Sequence, residues 1–178
     1  LRDVAHVNAS TTVLGGPSAL PFGIAPTGFT RLMQTEGEVA GAGAAGAAGI
    51  PFTLSTLGTT SIEDVRAANP AGRNWFQLYV MKDRDFIARL IQRAKAAGCS
   101  ALVLTLDLQI LGQRHKDIRN GLSAPPKPTI ANLINLAFKP RWCLKMLDTP
   151  RRQFGNIVGH VTGVADMSSL SSWTASQF

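Results

Sequence analysis

Apolar runs that end in polar residues recur along the first part of the chain. They cover residues 21–27, 52–55, 74–79 and 101–107, and each carries hydrogen-bonding residues at its C-terminal end. Short apolar runs of this length, bounded by turn residues, predict buried β-strands. In a parallel barrel the C-terminal ends of the strands line one mouth, where binding and catalysis are built. The pattern therefore predicts four strands with polar ends at one edge, and the series stops after the fourth.

Helical signals lie between these runs. Thr35 and Glu38 have the spacing of a capping box, which predicts a helix start there, and Gly49 predicts its end. Ser61 and Asp83 are the predicted N-caps of the next two helices. After Asp83, apolar residues recur every three or four positions and give the third helix one apolar face; they are Phe86, Ile87, Leu90, Ile91, Ala94 and Ala97.

The predicted order, after a short hairpin in residues 11–22, is β-α-β-α-β-α-β. Strands that alternate with helices imply a parallel sheet with right-handed crossovers. A complete eight-unit barrel needs about 250 residues, and this chain of 178 residues supplies roughly half of that. The expected fold class is therefore α/β: a (β/α)8 TIM barrel of which about the first four units are present.

The chain carries its net positive charge in one segment. Residues 113–152 hold nine Lys or Arg and two Asp, which accounts for the whole formal net charge of +7. Within it, residues 127–152 mix these cations with apolar residues, which predicts either a lid on the barrel mouth or a membrane-surface helix with its cations toward anionic lipid. Because no nucleic-acid-binding motif accompanies the charge, we expect no nucleic-acid partner.

Composition narrows the class of protein further. Hydrophobic residues make up 45% and charged residues 16% of the chain, as in a globular domain. No stretch approaches the roughly 20 apolar residues of a membrane-spanning helix, and no signal peptide is visible. Cys99 and Cys143 are far apart and lack metal-ligand spacing. We therefore expect no metal and a cytoplasmic protein, with the inner face of the cell membrane as the site of any peripheral attachment.

A set of motifs in fixed order makes the chain recognisable. They are Pro21-Phe-Gly-Ile-Ala-Pro-Thr-Gly28, Trp75-Phe-Gln-Leu-Tyr79 with Lys82-Asp-Arg84, Leu104-Thr-Leu-Asp107 with Gly112-Gln-Arg114, and Asp117-Ile-Arg-Asn-Gly121. Together they resemble the FMN-dependent 2-hydroxy-acid dehydrogenases and oxidases over most of residues 1–178. The tail from Asn156 onward is most similar to the bacterial L-lactate dehydrogenase branch. The resemblance implies that residues 1–178 are the N-terminal part of one barrel domain, with FMN as cofactor.

The resemblance also implies a flavin-facing set of residues. In the family, the segment matching Pro26, Thr27 and Gly28 lies against the flavin ring. The residues that match the family's hydrogen-bond partners of the flavin are Ser55, Gln77 and Thr105. Taken singly, Gly28 is equally a turn residue and the polar strand ends equally meet water. Three such residues at successive strand ends favour the cofactor.

Three further residues match the family's substrate chemistry. Tyr79 and Arg114 match residues that face the substrate, and a planar guanidinium suits a carboxylate. Asp107 matches the carboxylate that orients a histidine base and stabilises the imidazolium. On residue type alone, Tyr79 is also an ordinary strand-end residue, Arg114 a member of the basic segment and Asp107 a turn residue. None of the histidines matches the catalytic position; they are His6, His115 and His160.

The expected function is oxidation of an L-2-hydroxy acid, first of all L-lactate, to the 2-oxo acid, with a quinone or cytochrome as electron acceptor. Because the catalytic histidine has no match, the chain is expected to be a partial enzyme. The resemblance also implies that the full-length protein is a homotetramer. Two alternatives stay open: an oxygen-using 2-hydroxy-acid oxidase, and a non-catalytic half-barrel that serves as a binding or assembly module.

Overall fold

The computed structural model describes residues 5, 7–106, 115–120, 129–149, 153–161, 164 and 176–177. Two predicted site residues, Asp107 and Arg114, lie outside the described residues. Among the described residues no group of three or more His, Cys, Asp or Glu side chains is placed to hold a metal ion. In the same part of the chain, no helix has the length and apolar character needed to cross a bilayer.

A hairpin precedes the sheet, as predicted. Strand β1 (Thr11–Val13) pairs antiparallel with β2 (Gly16–Ser18). The two turn residues, Leu14 and Gly15, have φ of 45° and 73°, the positive values that a tight hairpin turn requires. The Arg73 guanidinium holds the hairpin by donating to carbonyl oxygens of Val13, Gly16 and Pro17 at 2.7–3.0 Å.

The central sheet is parallel. Its strands β3 (Phe52–Ser55), β4 (Asn74–Tyr79) and β5 (Ala101–Thr105) lie in that order. The predicted first strand lies beside β3 but forms only an isolated parallel bridge between Ile24 and Phe52. Two prolines, Pro21 and Pro26, flank this bridge and cannot donate to a strand ladder, which limits its length.

Three helices alternate with the strands, and four others accompany them. The connecting helices are α2 (Gly37–Ala47), α3 (Ile62–Ala68) and α4 (Arg84–Ala96). The others are α1 (Thr30–Met33), α5 (His115–Arg119), α6 (Ile130–Ala137) and α7 (Pro140–Leu147). The two predicted N-caps are confirmed: the Ser61 hydroxyl accepts from Asp64 N at 3.1 Å, and the Asp83 carboxylate from Phe86 N at 2.8 Å.

The core lies between the sheet and these helices. Cross-strand register places Leu54, Phe76 and Leu78 on the face that is buried under the helices. Helix α2 approaches this layer closely because its small residues permit it: a Cβ at Gly41 would lie 3.0 Å from the Phe52 ring. The alternating order and the parallel sheet confirm the α/β class, while the eight-unit barrel stays a prediction.

The predicted capping box is wrong. Helix α2 begins at Gly37, and the residue before it, Glu36, makes no side-chain cap hydrogen bond. The Thr35 hydroxyl donates instead to Lys145 O, 3.1 Å away. Glu38 lies in the first turn of α2, but its side chain bonds to the β3–α3 loop, which offers several donors at once in the folded chain.

The Glu38 carboxylate fastens the β3–α3 loop. It accepts hydrogen bonds from Thr59 N at 2.7 Å, from the Thr59 hydroxyl at 2.8 Å and from the Thr60 hydroxyl at 2.6 Å. Glu38 is only 2% exposed. Burial by itself raises the pKa of this carboxyl, but the hydrogen bonds together outweigh it, so the pKa lies below its ordinary value of 4.5. The loop is thus held by a buried, ionised group.

Replacing Glu38 with alanine tests this attachment. We expect Glu38→Ala to lower the free energy of unfolding by about 3 kcal/mol near neutral pH, since it leaves buried donors without partners. Because the folded pKa is lowered, the stability that Glu38 contributes is present above pH 4.5 and is lost as the pH falls through the folded pKa. Urea unfolding across this pH range measures both effects. The control is Glu36→Ala, which removes an exposed carboxylate two residues away; equal losses in the two variants would contradict the assignment.

Candidate functional site

Three of the predicted site residues meet on the face of the sheet opposite the core. Ser55 pairs with Gln77 and Tyr79 pairs with Thr105 in the strand register. The Ser55 hydroxyl donates to Gln77 Oε1 at 3.1 Å, and Gln77 Nε2 donates to Thr105 Oγ1 at 2.8 Å. A continuous hydrogen-bonded chain therefore runs across the C-terminal ends of β3, β4 and β5. We call these three side chains the polar wall.

The orientation of the Gln77 amide is fixed by the backbone. Gln77 Oε1 also accepts from Thr56 N at 3.3 Å, and a backbone N–H can only donate. The oxygen must therefore face β3 and the nitrogen must face Thr105. The side chain is 2% exposed, and the Thr56 hydroxyl holds the same residue by donating to Gln77 O at 2.5 Å. Burial and these hydrogen-bond partners together fix the orientation of the Gln77 side-chain amide.

This arrangement directs donors toward the open end of the sheet. The Thr105 hydroxyl accepts the hydrogen bond from Gln77, so its own proton is left to donate, and Thr105 is half-buried. The Ser55 hydroxyl already makes two hydrogen bonds: it donates to Gln77 Oε1 and accepts from Leu57 N at 3.1 Å. The pyrimidine edge of a flavin ring carries carbonyl acceptors, which suit a hydroxyl proton and an amide N–H. The donor set of the polar wall therefore fits FMN.

Tyr79 lies at the end of β4 on the same face as Gln77, two residues further along the strand, and is half-buried. Its partner in the strand register is Thr105, the last residue of the polar wall, and its predicted role of facing the substrate stays a prediction. The structure thus brings together Tyr79 and the polar wall. The predicted roles of Asp107 and Arg114 concern positions just beyond β5, outside the described residues.

The segment Pro26-Thr27-Gly28 lies against the β3–α3 loop. Phe29 N donates to Leu57 O at 3.3 Å, and a Cβ at Gly28 would lie 3.2 Å from the same oxygen. The structure therefore gives Gly28 a packing reason within the protein. Pro26 and Thr27 are exposed. Their predicted contact with the flavin ring is compatible with this exposure and stays a prediction.

Residues 153–157 support the loop from the other side. Gly155 N donates to Gly58 O at 3.0 Å, and Asn156 Oδ1 accepts from Ile62 N at 3.0 Å. A side chain at Gly155 would meet the backbone of Thr60 and Ser61 at 2.6–2.7 Å, so only glycine fits. The β3–α3 loop is thus enclosed between Glu38 and this segment.

An ion pair ties the same segment to the helix layer. Arg93 Nη2 lies 2.7 Å from Glu63 Oε2, and Arg93 Nη1 donates to Asn156 O at 3.3 Å. The hydrogen bond from Arg93 is the main reason that the pKa of Glu63 lies below its ordinary value. Burial, followed by the charge of Arg93, lowers the pKa of His160. His160 N donates to Ile157 O at 3.0 Å, so His160 continues the segment that Arg93 ties to the helix layer.

Sequence reasoning missed the residues that support the wall. Glu38 was assigned to a helix cap, and Asn156 and Gly155 had no assigned role. A buried carboxylate that serves a loop 21 residues away leaves no local pattern. The one available signal was the run of three hydroxyl residues at 59–61, shortly after a predicted strand. Such a run offers several hydrogen-bond donors and therefore indicates that an acceptor lies nearby.

A second surface is formed by α6 and α7. Large apolar side chains on both helices are exposed: Ile130, Leu133, Ile134, Phe138, Leu144 and Leu147. Helix α7 is attached to α1, because Trp142 Nε1 donates to Leu32 O at 3.1 Å. Single exposed apolar residues are normal, but this number on two consecutive helices is more than a solvated surface usually carries.

The chain is similar in sequence to known proteins along its whole length. A family profile described as FMN-dependent dehydrogenase matches residues 1–178. A putative L-lactate dehydrogenase of Mycobacterium tuberculosis is 52% identical over 157 residues, which is 88% of this chain and 38% of that protein. An L-lactate dehydrogenase of Caulobacter vibrioides is 38% identical over 180 residues, covering 100% of this chain and 46% of that protein.

Solved structures of similar fold include a dehydrogenase and an oxidase. The monotopic membrane protein (S)-mandelate dehydrogenase has a TM-score of 0.90 and 31% identity, covering 98% of this chain and 46% of that one. A mandelate oxidase has a TM-score of 0.65 and 42% identity, covering 69% of this chain and 36% of that one. The chain thus spans less than half the length of the relatives it matches. By the profile match over its whole length, the chain belongs to the FMN-dependent dehydrogenase family.

Proposed function

We propose that this chain supplies one wall of the flavin and substrate site in an enzyme that oxidises an L-2-hydroxy acid, with L-lactate as the first expected substrate. The hydrogen-bonded chain Ser55–Gln77–Thr105 carries the proposal, since it places polar groups at three successive strand ends. Relatives named L-lactate dehydrogenase support the choice of substrate. The structural relatives named for mandelate keep an aromatic 2-hydroxy acid as the second candidate.

In this proposal the residues of the chain bind the FMN ring and orient it. Bound FMN supplies the acceptor for the two electrons taken from the substrate. Gln77 Nε2 and the Thr105 hydroxyl hold the polar edge of the ring, and Ser55 keeps the Gln77 amide turned toward it. Pro26, Thr27 and Gly28 form the surface beside the ring.

The substrate side of the proposal rests on Tyr79, Asp107 and Arg114. The Tyr79 phenol faces the substrate, and the Arg114 guanidinium binds its carboxylate or a developing negative charge. Asp107 orients a histidine base and stabilises the imidazolium that forms. Because none of His6, His115 and His160 matches the catalytic position, the base is expected from another part of the same enzyme.

Exposed leucines favour a larger barrel over a self-sufficient half-barrel. Leu102 and Leu104 of β5 are 46% and 48% exposed, although they share the sheet face on which Phe76 and Leu78 are buried. In the proposal, further β/α units of the same enzyme cover these side chains and complete the eight-unit barrel. A homotetramer of the complete enzyme, with a quinone or cytochrome as acceptor, belongs to the same proposal, and an oxygen-using oxidase is the alternative.

The surface formed by α6 and α7 is proposed to contact a membrane. Exposed apolar side chains and a high density of cations in one segment suit the interface of an anionic bilayer. Support comes from the structural relative described as a monotopic membrane protein. The protein would then sit peripherally on the cytoplasmic face of the cell membrane. The alternative is that residues 127–152 form a lid on the barrel mouth.

Substrate oxidation tests the proposed activity. The full-length gene product, loaded with FMN, is expected to bleach its flavin absorbance anaerobically on addition of L-lactate. We expect Asp107→Asn to slow this bleaching by about a hundredfold or more, since the base loses its orienting carboxylate. Asp85→Asn, an exposed aspartate of α4, is the control. Bleaching by L-mandelate but not by L-lactate would move the proposal to its second substrate, and bleaching by neither would contradict it.

Removing the free hydroxyl of the polar wall tests the flavin contact. Thr105→Val keeps the shape of the side chain and removes its proton, so we expect FMN to bind about tenfold more weakly. Fluorescence titration of FMN measures this change. The matched control is Thr53→Val, on the same sheet face but two residues below the strand end. Equal affinities for Thr105→Val and the unaltered protein would place the ring elsewhere.

Vesicle flotation tests the membrane contact. We expect the double variant Leu133→Ser and Phe138→Ser to lose most vesicle binding, since each side chain contributes about 2 kcal/mol when buried. The matched control replaces Leu14 and Phe22, which are 66% and 58% exposed at the other end of the described chain. If both double variants bind vesicles as well as the unaltered protein does, α6 and α7 do not enter the membrane.

A further inference from the structure

The chain takes a strained turn directly after the segment Pro26-Thr27-Gly28. Phe29, the residue that precedes α1, has φ 58° and ψ 26°, which is the left-handed region of backbone conformation. Residues that carry a Cβ rarely adopt this conformation, because the Cβ then lies too close to the following carbonyl oxygen. It persists only where the surrounding structure holds it. The turn at Phe29 therefore depends on contacts with other parts of the fold.

Contacts with the β3–α3 loop and with the segment behind it hold this turn. Phe29 N donates to Leu57 O at 3.3 Å, and the centroid of the Phe29 ring lies 4.5 Å from that of the Phe154 ring. One turn further on, Arg31 N donates to the Thr59 hydroxyl oxygen at 3.2 Å. The hydrogen bonds to Leu57 and Thr59 join both ends of the turn to the same loop.

Glu38 sets the direction of the Thr59 hydroxyl. The Thr59 oxygen accepts from Arg31 N, and a backbone N–H can only donate, so the hydroxyl proton must point to another acceptor. Glu38 Oε2 lies 2.8 Å from the Thr59 oxygen, and an ionised carboxylate can only accept. Thr59 is fully buried and Glu38 nearly so, which keeps water from competing for either group. Glu38, Thr59 and Arg31 N therefore form a hydrogen-bonded chain with a fixed direction.

Thr60 offers a contrast within the same loop. Its hydroxyl also donates to Glu38 Oε2, at 2.6 Å, and its side chain is buried as completely as that of Thr59. Within the described residues, however, the Thr60 hydroxyl makes no hydrogen bond to α1 or to the turn at Phe29. Both hydroxyls bind Glu38, and of these two the one on Thr59 also reaches α1.

We propose that Thr59, oriented by Glu38, is a positioning residue for the flavin: it holds the strained turn at Phe29 and thereby keeps Pro26-Thr27-Gly28 where the ring is to lie. This inference rests on the proposed contact between that segment and FMN, and it adds the reason why the segment stays in place. Without the hydrogen bond to Thr59, the turn can relax toward a negative φ at Phe29 and carry the segment with it. A segment that must be ordered during binding costs affinity, whereas one already in place does not.

A matched pair of valine substitutions tests the role of Thr59. Thr59→Val and Thr60→Val both keep the branched shape and remove one hydroxyl bound to Glu38, so each lowers stability. Thr59→Val also leaves Arg31 N without its acceptor, and we expect the full-length protein to bind FMN about tenfold more weakly. We expect Thr60→Val to bind FMN as tightly as the unaltered protein does. Release of fluorescent FMN on dilution of the loaded protein measures both affinities.

Hydrogen exchange at saturating FMN provides a readout that is independent of activity. In Thr59→Val we expect the backbone amides of residues 29–33 to exchange about tenfold faster, since local opening no longer breaks a hydrogen bond to the loop. Thr60→Val is expected to leave exchange in this segment unchanged. Thr59→Ser keeps the hydroxyl and is expected to retain both the FMN affinity and the slow exchange.

A milder variant decides the question if Thr59→Val does not fold. Glu38→Gln keeps the shape of the side chain, but its oxygen must face Thr59 N, so its NH2 group faces the two hydroxyls. The Thr59 hydroxyl then loses its strongest acceptor. We expect FMN to bind about threefold more weakly and residues 29–33 to exchange faster. Unchanged affinity and exchange in Glu38→Gln would overturn the inference.

The remaining outcomes separate this inference from the proposed flavin site. Equal weakening of FMN binding in Thr59→Val and Thr60→Val would overturn the positioning role, because it would show a general loss of stability. If Thr105→Val weakens FMN binding and Thr59→Val does not, the polar wall stands and the role of Thr59 falls. If neither variant weakens FMN binding, the proposed flavin site falls as well.

Discussion

The buried amide of Gln77 is the constraint on which the candidate site depends. Its oxygen accepts from Ser55 and from the backbone of Thr56, so its nitrogen is turned to Thr105. One side chain thereby links the C-terminal ends of three parallel strands and leaves a donor at the open edge. Because the amide is buried, the alternative orientation would turn its NH2 group toward Thr56 N and set two donors against each other. The wall is therefore organised before any cofactor binds.

Support for this wall comes from behind the strands. Glu38 holds the β3–α3 loop on one side, and Gly155 and Asn156 enclose it on the other. Helix α7 joins the same body through Trp142, which donates to Leu32 O. The proposed membrane surface and the candidate flavin wall are thus parts of one packed arrangement, in which α7 lies against the chain just before α2.

The parts that could be predicted from sequence are those with local causes. The parallel strands follow from short apolar runs, and the caps at Ser61 and Asp83 follow from side chains that reach their own helix. Glu38 could not be predicted, because its donors come from a loop that is close only after folding. The first strand was predicted too long, because its pairing with β3 also depends on the folded chain. Pro21 and Pro26 limit that pairing to Ile24, but this is evident only once β3 is known to lie beside it. The wall residues themselves were found through family resemblance, and the structure explains how they meet.

We expect FMN to bind against Ser55, Gln77 and Thr105, in keeping with membership of the FMN-dependent dehydrogenase family. A crystal structure of the FMN-loaded full-length protein is the most direct measurement. We expect to find the polar edge of the ring within hydrogen-bonding distance of Gln77 Nε2 and Thr105 Oγ1, with the Gln77 oxygen still turned toward Ser55. A flavin bound elsewhere, with the hydrogen-bonded chain closed and out of its reach, would contradict it.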